Sequence, residues 1–411
     1  MTDLRASGAV TGTGDRSQPR AALPALCATQ ITSWGIVYYA FPVLNPQITA
    51  STGWSTTATT AAFSGALLVS AATGIPVGRI LDRRGPRAVM TTGSVLGVTA
   101  VLAVAHAPNL ITLSAAWLLA GVAMAATFYQ PAFAALTRWW GEDRVRALTI
   151  VTLAGGLAST VFAPLTAALA EHLNWRTTYA ILAAFLALVT IPAHALALRG
   201  PWPPAPSPPS QQVTSSGSVA RSRPFLMLAA ALTLNSFAMY AVVIALVPLL
   251  LARGASPTAA AWALGLGGAG QTVGRTLYGS LASRTGVTTR TVILITLGGA
   301  TTAAFAVVSG PFPLLVGIAI MAGMVRGNLT LLQATAVTDR WGAAHYGRLS
   351  GLLAAPATIA SSLAPFAGAA LARPLGGYPG LFTLLALVST LGAFAAFATM
   401  PRHKLQLVAD R

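Results

Sequence analysis

The chain has 411 residues, 55% of them hydrophobic and only 8% charged, with a formal net charge of +17. A soluble domain carries about 25% charged residues, and one soluble core cannot absorb this much apolar sequence. A bilayer can, provided the backbone is satisfied inside helices or a closed barrel, and long Ala/Leu/Val-rich runs without strand alternation favour helices.

The first residues are polar and Gly/Thr-rich, with Arg5, Arg16 and Arg20. Residues 1–21 are therefore expected to be a disordered cytoplasmic tail rather than a cleaved leader. Twelve apolar segments follow, near 22–46, 57–77, 88–107, 110–136, 147–170, 177–198, 225–252, 258–280, 290–309, 312–337, 346–371 and 379–400. Each is close to the ~20 residues that cross a bilayer. Between the sixth and seventh lies a Pro/Ser-rich stretch, Gly200 to Pro224, without apolar periodicity. The expected organisation is an N-terminal six-helix bundle (22–198), a cytoplasmic linker (199–224), a C-terminal six-helix bundle (225–400) and a short cytoplasmic tail (401–411).

Charge orients these segments. With the N-terminus inside, 20 of the 25 basic residues fall in cytoplasmic stretches. Only Arg176, Arg253 and Arg373 fall outside, and Arg275 and Arg326 lie within apolar segments. This is a strong positive-inside pattern, with both termini cytoplasmic and the cell membrane as location. It also accounts for the net charge, so nucleic acid is not expected as a partner. The single cysteine, Cys27, allows no intrachain disulfide. His106, His172, His194, His345 and His403 are scattered near segment ends without metal-ligand spacing, and there is no P-loop. No metal, cofactor or enzymatic constellation is expected.

The two halves match at a constant offset of 201 residues. Gly78, Arg83 and Gly85 align with Gly279, Arg284 and Gly286, Trp140-Gly141 with Trp341-Gly342, Ala163-Pro164 with Ala364-Pro365, and Tyr39 with Tyr240. Such an offset marks an internal duplication of the parallel kind found in transporters.

The sharpest motif is GRILDRRGPR, from Gly78 to Arg87. Gly78 would let two helices approach closely, Gly85 permits a tight turn, and Asp82 can accept hydrogen bonds or pair with arginine. The motif resembles the cytoplasmic loop signature of the major facilitator superfamily, matched in full by Gly78, Asp82, Arg83, Gly85 and Arg87. That resemblance implies an all-α membrane protein of twelve transmembrane helices in two pseudo-symmetric six-helix bundles. In it these residues would latch the halves in one conformation and release them in another. The second-half copy, Gly279 to Gly286, has Ser283 in place of Asp82. The latch is thus expected to be stronger in the first half. Gly155-Gly156 and Pro164 are only faintly similar to the antiporter motif of drug exporters.

None of the eight acidic residues falls in the middle of an apolar segment. A proton-coupled exporter of organic cations usually needs a buried carboxylate there. Arg326 sits near the middle of the tenth segment, with Thr330 and Gln333 on the same helix face. It would bind a substrate anion or be bonded to backbone carbonyls at a helix break beside Gly327. Arg275 would either face the same cavity or snorkel to the cytoplasm. Gln271-x3-Arg275-x3-Gly279 resembles the eighth helix of monocarboxylate and oxalate/formate transporters. There an acidic or amide residue precedes an arginine by one turn, and the arginine pairs with the substrate carboxylate. SWGIVYYAFPVL and Gly53-Trp54-Ser55 are similar to the start of the same group. Gln271 departs from the acidic form, so proton coupling at that position is not implied.

Polar and aromatic residues at helical spacing complete the candidate cavity. They are Gln30, Trp34 and Tyr38 in the first segment, Thr127, Tyr129 and Gln130 in the fourth, and Asn235 and Tyr240 in the seventh. Helix-to-helix hydrogen bonding is the alternative role for each. The expected function is secondary transport of a small organic anion, a carboxylate, with protons as a candidate co-substrate and the lipid bilayer as solvent. The alternatives are a proton-driven exporter of drugs or secondary metabolites, and a membrane sensor that kept the fold without transport.

Overall fold

A computed structural model of the chain describes residues 19–202, 219–341 and 346–399. The expected tails and most of the linker lie outside the described residues. The helices run in chain order as α1 (residues 22–52), α2 (Thr56–Arg84), α3 (Pro86–Ala105), α4 (Leu110–Trp140), α5 (residues 144–172) and α6 (Trp175–Ala197). After the linker come α7 (Arg223–Ala252), α8 (Pro257–Arg284), α9 (Val287–Val307), α10 (Phe312–Thr335), α11 (Tyr346–Ala372) and α12 (Tyr378–Phe397), with a short turn of helix, Thr338–Trp341, after α10. Among the described residues, ten helices are long and apolar enough to cross a membrane; α1 and α8 are not among them.

Local chemistry sets the ends. Ser55, Asn174 and Ser256 each accept a hydrogen bond from a backbone N–H in the first turn of the helix they open, and Asn109 forms a reciprocal capping box with Thr112. Pro86, Pro257 and Pro379 stand in first turns, where a missing N–H costs nothing. Gly53 ends α1 at φ 73°, so the Gly-Trp-Ser stretch is one helix stop followed by one helix start. Asn174-Trp175-Arg176 ties α6 to α3: Arg176 lies 4.2 Å over the Trp175 ring and donates to the Ala105 and Ala107 carbonyls.

Three helices depart from regular α geometry near mid-length. α1 contains a π-helical turn at Gly35–Tyr39, α4 breaks at Phe128, and α5 breaks at Leu157, just after Gly155-Gly156. Conversely, the Gly78–Arg87 motif is less of a loop than expected. α2 continues through Gly78, Asp82 and Arg84, and only Gly85, at φ 78°, turns the chain. Backbone hydrogen bonding carries the helix beyond its apolar stretch, so hydropathy ends it too early.

The 201-residue offset reappears as packing. α2 packs on α4, α3 on α6 and α1 on α5; in the second half α8 packs on α10, α9 on α12 and α7 on α11. The halves meet along two seams, α2 with α11 and α5 with α8. Their outer faces expose Ile111, Leu188, Val307 and Phe394, as expected of surface that lipid covers.

Both seams are closed at the end that is poor in arginine. Ser64 Oγ accepts from the Phe366 N–H at 3.0 Å, Thr57 reaches the Ala369 carbonyl, Thr160 Oγ1 donates to the Gly265 carbonyl at 2.9 Å, and Thr258 donates to the Glu171 carboxylate. At the arginine-rich end the seams are apart. A Cβ added at Gly78, or at its repeat mate Gly279, would meet nothing within 4 Å. The close helix approach expected at Gly78 is therefore not made in this conformation. A cleft opens at this end and leads inward to the middle of the molecule.

Candidate functional site

The cleft narrows to a cavity of about 120 Å³ between the halves, lined by Trp34, Tyr38, Tyr39, Tyr129, Gly155, Met239, Tyr240, Val243, Gln271, Arg275, Arg326 and Thr330. Two wider chambers join it through shared side chains. One, of about 270 Å³, is lined by Trp34, Tyr38, Phe128, Tyr129, Gln130 and Tyr240 with Ser70, Thr358, Ser361 and Ser362. The other, of about 280 Å³, is lined by Ser236, Tyr240, Gln333, Ser350, Thr358 and Ser361.

The N-terminal half supplies an aromatic wall. Trp34 stacks on Phe128 at 4.1 Å between centroids, and Tyr38 and Tyr129 lie 5.5 and 5.3 Å from the same ring. Tyr38 meets Tyr240 edge-on at 6.4 Å across the two halves. The π turn matters here. In a regular α-helix consecutive residues project about 100° apart. The widened turn at Gly35–Tyr39 brings both Tyr38 and Tyr39 to the cavity.

The C-terminal half supplies the charge. α8 and α10 approach at backbone distance because glycines face each other. A Cβ at Gly274 would collide with the Met324 backbone, and a Cβ at Gly327 with the backbone of Gln271. This contact sets Arg326 beside Gln271, whose Oε1 accepts from Arg326 Nε at 3.0 Å. Arg275, one turn further along α8, is only 6% exposed and lies across the seam, where Nη1 donates to the Thr152 carbonyl of α5. Gly156 makes room for it, since a Cβ there would press on both Thr272 Oγ1 and Arg275 Nη1. Gly155 likewise makes room for the Tyr129 hydroxyl, which interacts with Arg275.

Arg275 does not snorkel. It is the arginine held by a backbone carbonyl, a role that the sequence suggested for Arg326. Arg326 instead lies in an unbroken helix, and Gly327 serves helix packing. Among the described residues, the only side-chain ion pairs are Arg138–Asp82 and Arg290–Asp339, so neither cavity arginine has a carboxylate partner. Arg275 Nε, Arg326 Nη2, Trp34 Nε1 and the Tyr38 hydroxyl are all buried without a hydrogen-bond partner.

Of the sequence candidates, Arg275, Arg326, Gln271, Tyr240, Tyr38, Tyr129 and Thr330 line the central cavity. Gln130 lines the first chamber, and Gln333, which donates to Ser236 Oγ at 3.0 Å, lines the second. Asn235 sits apart, in a smaller cavity within the C-terminal half, behind Arg326. Gln30, Trp34 and Tyr38 do not act as one face: Gln30 is fully buried and donates to the Thr127 carbonyl at 2.7 Å. Tyr39, Met239, Thr358 and Ser361 escaped the sequence reading as cavity residues, and Gly155 was noted there only for its faint similarity to the antiporter motif. Only Tyr39, the repeat mate of Tyr240, carried a signal that could have found it.

The motif at the arginine-rich end works inside one half. Asp82 pairs with Arg138 at the end of α4, and its carbonyl accepts from Trp202 Nε1 at 3.0 Å. Arg138 lies 4.4 Å over the Trp202 ring, which covers Gly85. Arg87 donates to the Ala195 carbonyl of α6 at 2.9 Å, while Arg83 is exposed. Among the described residues no partner of Asp82 comes from the C-terminal bundle, so the expected latch between halves is not engaged here. Nor does the second half lack an ion pair. Arg290, at the start of α9, donates to Asp339, just past α10, at 2.8 Å. Thr335 donates to the same carboxylate, and Arg340 donates to Thr291 Oγ1 at 2.7 Å. Burial pulls the Arg340 guanidinium down to about 10, which leaves it charged at neutral pH.

Two bundles in pseudo-symmetric packing around a central cavity define a helical membrane transporter, not an enzyme. The family model of the Major Facilitator Superfamily matches residues 26–252 and 226–410, and the chain belongs to that superfamily. Among curated proteins it resembles monocarboxylate transporter 13 of Bos taurus, 31% identical over 310 residues, which covers 74% of this chain and 70% of that protein. The Rattus norvegicus protein of the same name is 30% identical over 319 residues, 74% of this chain and 69% of that one. Among solved structures it superposes on the nucleoside transporter NupG with a TM-score of 0.78 at 15% identity, covering 93% of this chain and 100% of that one. A bacterial homolog of the human lysosomal transporter Spinster, inward-facing and occupied, gives 0.72 at 16% identity, covering 92% and 95%. At those identities the structures attest the fold alone.

Proposed function

We propose that the chain moves a small organic anion, a carboxylate, across the cell membrane by alternating access, with all twelve helices spanning and both termini cytoplasmic. The carrying observation is the pair of guanidinium groups, Arg275 and Arg326, in one central cavity without a carboxylate partner among the described residues. A buried cation in a membrane span costs about 2.5–3.5 kcal/mol on insertion scales. A bound carboxylate offsets that cost and fills the vacant donors of the site. The monocarboxylate transporter relatives support the same class.

The basic end faces the cytoplasm by the positive-inside rule, so this conformation opens inward. Rocking of the halves would open the seams held by Ser64–Phe366 and Thr160–Gly265 and bring Gly78 and Gly279 against their partners. The Gly78–Arg87 segment would then act as the latch between halves. Substrate that neutralises Arg275 at the α5–α8 seam would ease this passage, and protons remain a candidate co-substrate.

Counterflow in proteoliposomes with labelled mono- and dicarboxylates tests this for the wild type, Arg275→Gln and Arg326→Gln. Carboxylate exchange that both substitutions impair is the expected result. Transport of neutral or cationic solutes without any anion transport would overturn it.

A further inference from the structure

The charge of the cavity can be read more finely than its class. Arg275 and Arg326 come from neighbouring helices and line the same space of about 120 Å³. Among the described residues, no acidic side chain lines it or the two chambers that join it. The side chain placed to neutralise one arginine is Gln271, 8% exposed, on the same face of α8 one turn before Arg275 and hydrogen-bonded to Arg326 Nε. An amide there satisfies geometry without contributing charge. The site therefore carries two positive charges.

The unused hydrogen-bonding capacity has the same sign. Arg275 Nε, Arg326 Nη2 and Trp34 Nε1 are buried donors without partners, and the Tyr38 hydroxyl is vacant as well. Among the described residues lining this cavity, no other side-chain oxygen is buried and vacant. The Gln271 oxygen, the one amide acceptor of the lining, is already taken by Arg326. A ligand that fits must bring acceptors to several donors at once. A monoanion would leave one guanidinium of this narrow cavity uncompensated, and a dianion would leave none.

Resting on the organic-anion reading above, we propose that this cavity takes a compact dicarboxylate, one carboxylate to each arginine, and that Gln271 sets the charge preference. A carboxylate at position 271 would lie against Arg326 and lower the site to a single positive charge, which suits a monocarboxylate. Removing the Arg326 charge does the same from the other helix. Two substitutions of unlike chemistry on different helices are thus expected to shift preference in one direction. A purely structural role for either residue predicts no such convergence.

The test titrates the purified full chain in detergent at neutral pH, read by tryptophan fluorescence, since Trp34 forms part of the cavity wall. Malonate and succinate are compared with propionate and butyrate, which match them in carbon number, and sulfate serves as a compact dianion with a single centre. Wild type is expected to bind the dicarboxylates at least about tenfold more tightly than their partners. Gln271→Glu and Arg326→Gln should each abolish or reverse that ratio, and Arg326→Lys, which keeps the charge, should retain it. If Gln271→Glu does not fold, Arg326→Gln and Arg326→Lys carry the test alone. Equal or tighter binding of monocarboxylates by wild type overturns the proposal and leaves the anion reading standing. Absence of dicarboxylate binding, or an unchanged ratio in Arg326→Gln, also overturns it. Sulfate binding as tight as malonate overturns the two-headed geometry. Binding of neutral or cationic solutes with no carboxylate bound would remove the anion reading itself.

Discussion

The two halves share one packing plan and divide the chemistry unequally. The N-terminal half lines the cavity with rings and the C-terminal half with arginines. At the arginine-rich end both halves close an internal ion pair, with opposite polarity. In the first, the carboxylate is on α2 (Asp82) and the arginine at the end of α4 (Arg138). In the second, the arginine is at the start of α9 (Arg290) and the carboxylate lies just past α10 (Asp339). Asp339 occupies the repeat position of Arg138, but Arg290 corresponds to Val89 on α3 and not to Asp82 on α2, so the partner comes from a different helix. The second pair is also the better shielded, with side chains 5% and 27% exposed against 12% and 58%. A duplicated scaffold thus keeps one anchor of the bond, at the end of α4 and just past α10, while the sign at that anchor and the helix supplying its partner change, because the attraction is the same with either polarity.

The sharpest way to break this comparison is at the cavity. Arg275→Gln is expected to lower transport by about a hundredfold or more, as removal of one buried charged hydrogen-bonding group does. Arg275→Lys should rescue little, since the donors of an ammonium radiate from one nitrogen and do not reproduce the spaced, planar fork by which the guanidinium reaches the Thr152 carbonyl and the cavity together. Counterflow rates check both, and a large rescue by lysine would show that charge alone suffices.

Next comes the glycine pair that gives Arg275 and Tyr129 their space. Gly156→Ala is expected to slow transport by about tenfold at unchanged expression, since a methyl group there displaces Arg275. Gly155→Ala should do the same through Tyr129, with partial recovery in combination with Tyr129→Phe, which removes the hydroxyl in conflict. A double-mutant cycle on transport rates measures that recovery. Strict additivity would mean that Gly155 and Tyr129 do not communicate.

The ion pairs should rank by shielding. Asp339→Asn is expected to lower stability by about 1–3 kcal/mol and Asp82→Asn by about 0–1 kcal/mol, checked by thermal unfolding in detergent. The double exchange Asp82→Arg with Arg138→Asp reverses the first pair and puts a carboxylate at the end of α4, where the second half has Asp339. It should fold and retain more stability than either single substitution. The reverse ranking would mean that burial does not govern these pairs.

The smallest effects separate the two motif glycines. Gly85→Ala should cost about 1 kcal/mol, because φ 78° strains a residue with a Cβ and Trp202 lies close above it. Gly78→Ala should cost no stability in this conformation, where nothing stands within 4 Å of the added carbon. Slower transport by a stable Gly78→Ala variant would point to close packing in the other state.

Much of this architecture was legible before any coordinates. Hydropathy is a local property, and lipid imposes it on each span separately, so helix positions follow from composition. The offset of 201 carried the packing plan because each half repeats the same contacts. Arg275 and Arg326 stood out because charge inside an apolar run is costly and therefore conspicuous, and Gln271 because its spacing from Arg275 resembles the eighth helix of the monocarboxylate and oxalate/formate group. What hydropathy misplaced is equally physical. α2 runs past its apolar stretch to Arg84, since a helix is held by backbone bonds and not by side-chain polarity.

By itself, then, the sequence determined the helical membrane class, the duplication, the asymmetry of charge and the two cavity arginines, each of which follows from residue type and spacing along the chain. Only the tertiary structure decided which end of the cleft is open, that Arg275 is held by a carbonyl of the opposite half, that Asn235 sits behind the cavity, and that a π turn admits Tyr39. Those facts depend on how helices distant in sequence pack and on where single turns depart from regular geometry. A change of one residue per turn leaves composition untouched while it redirects every side chain beyond it.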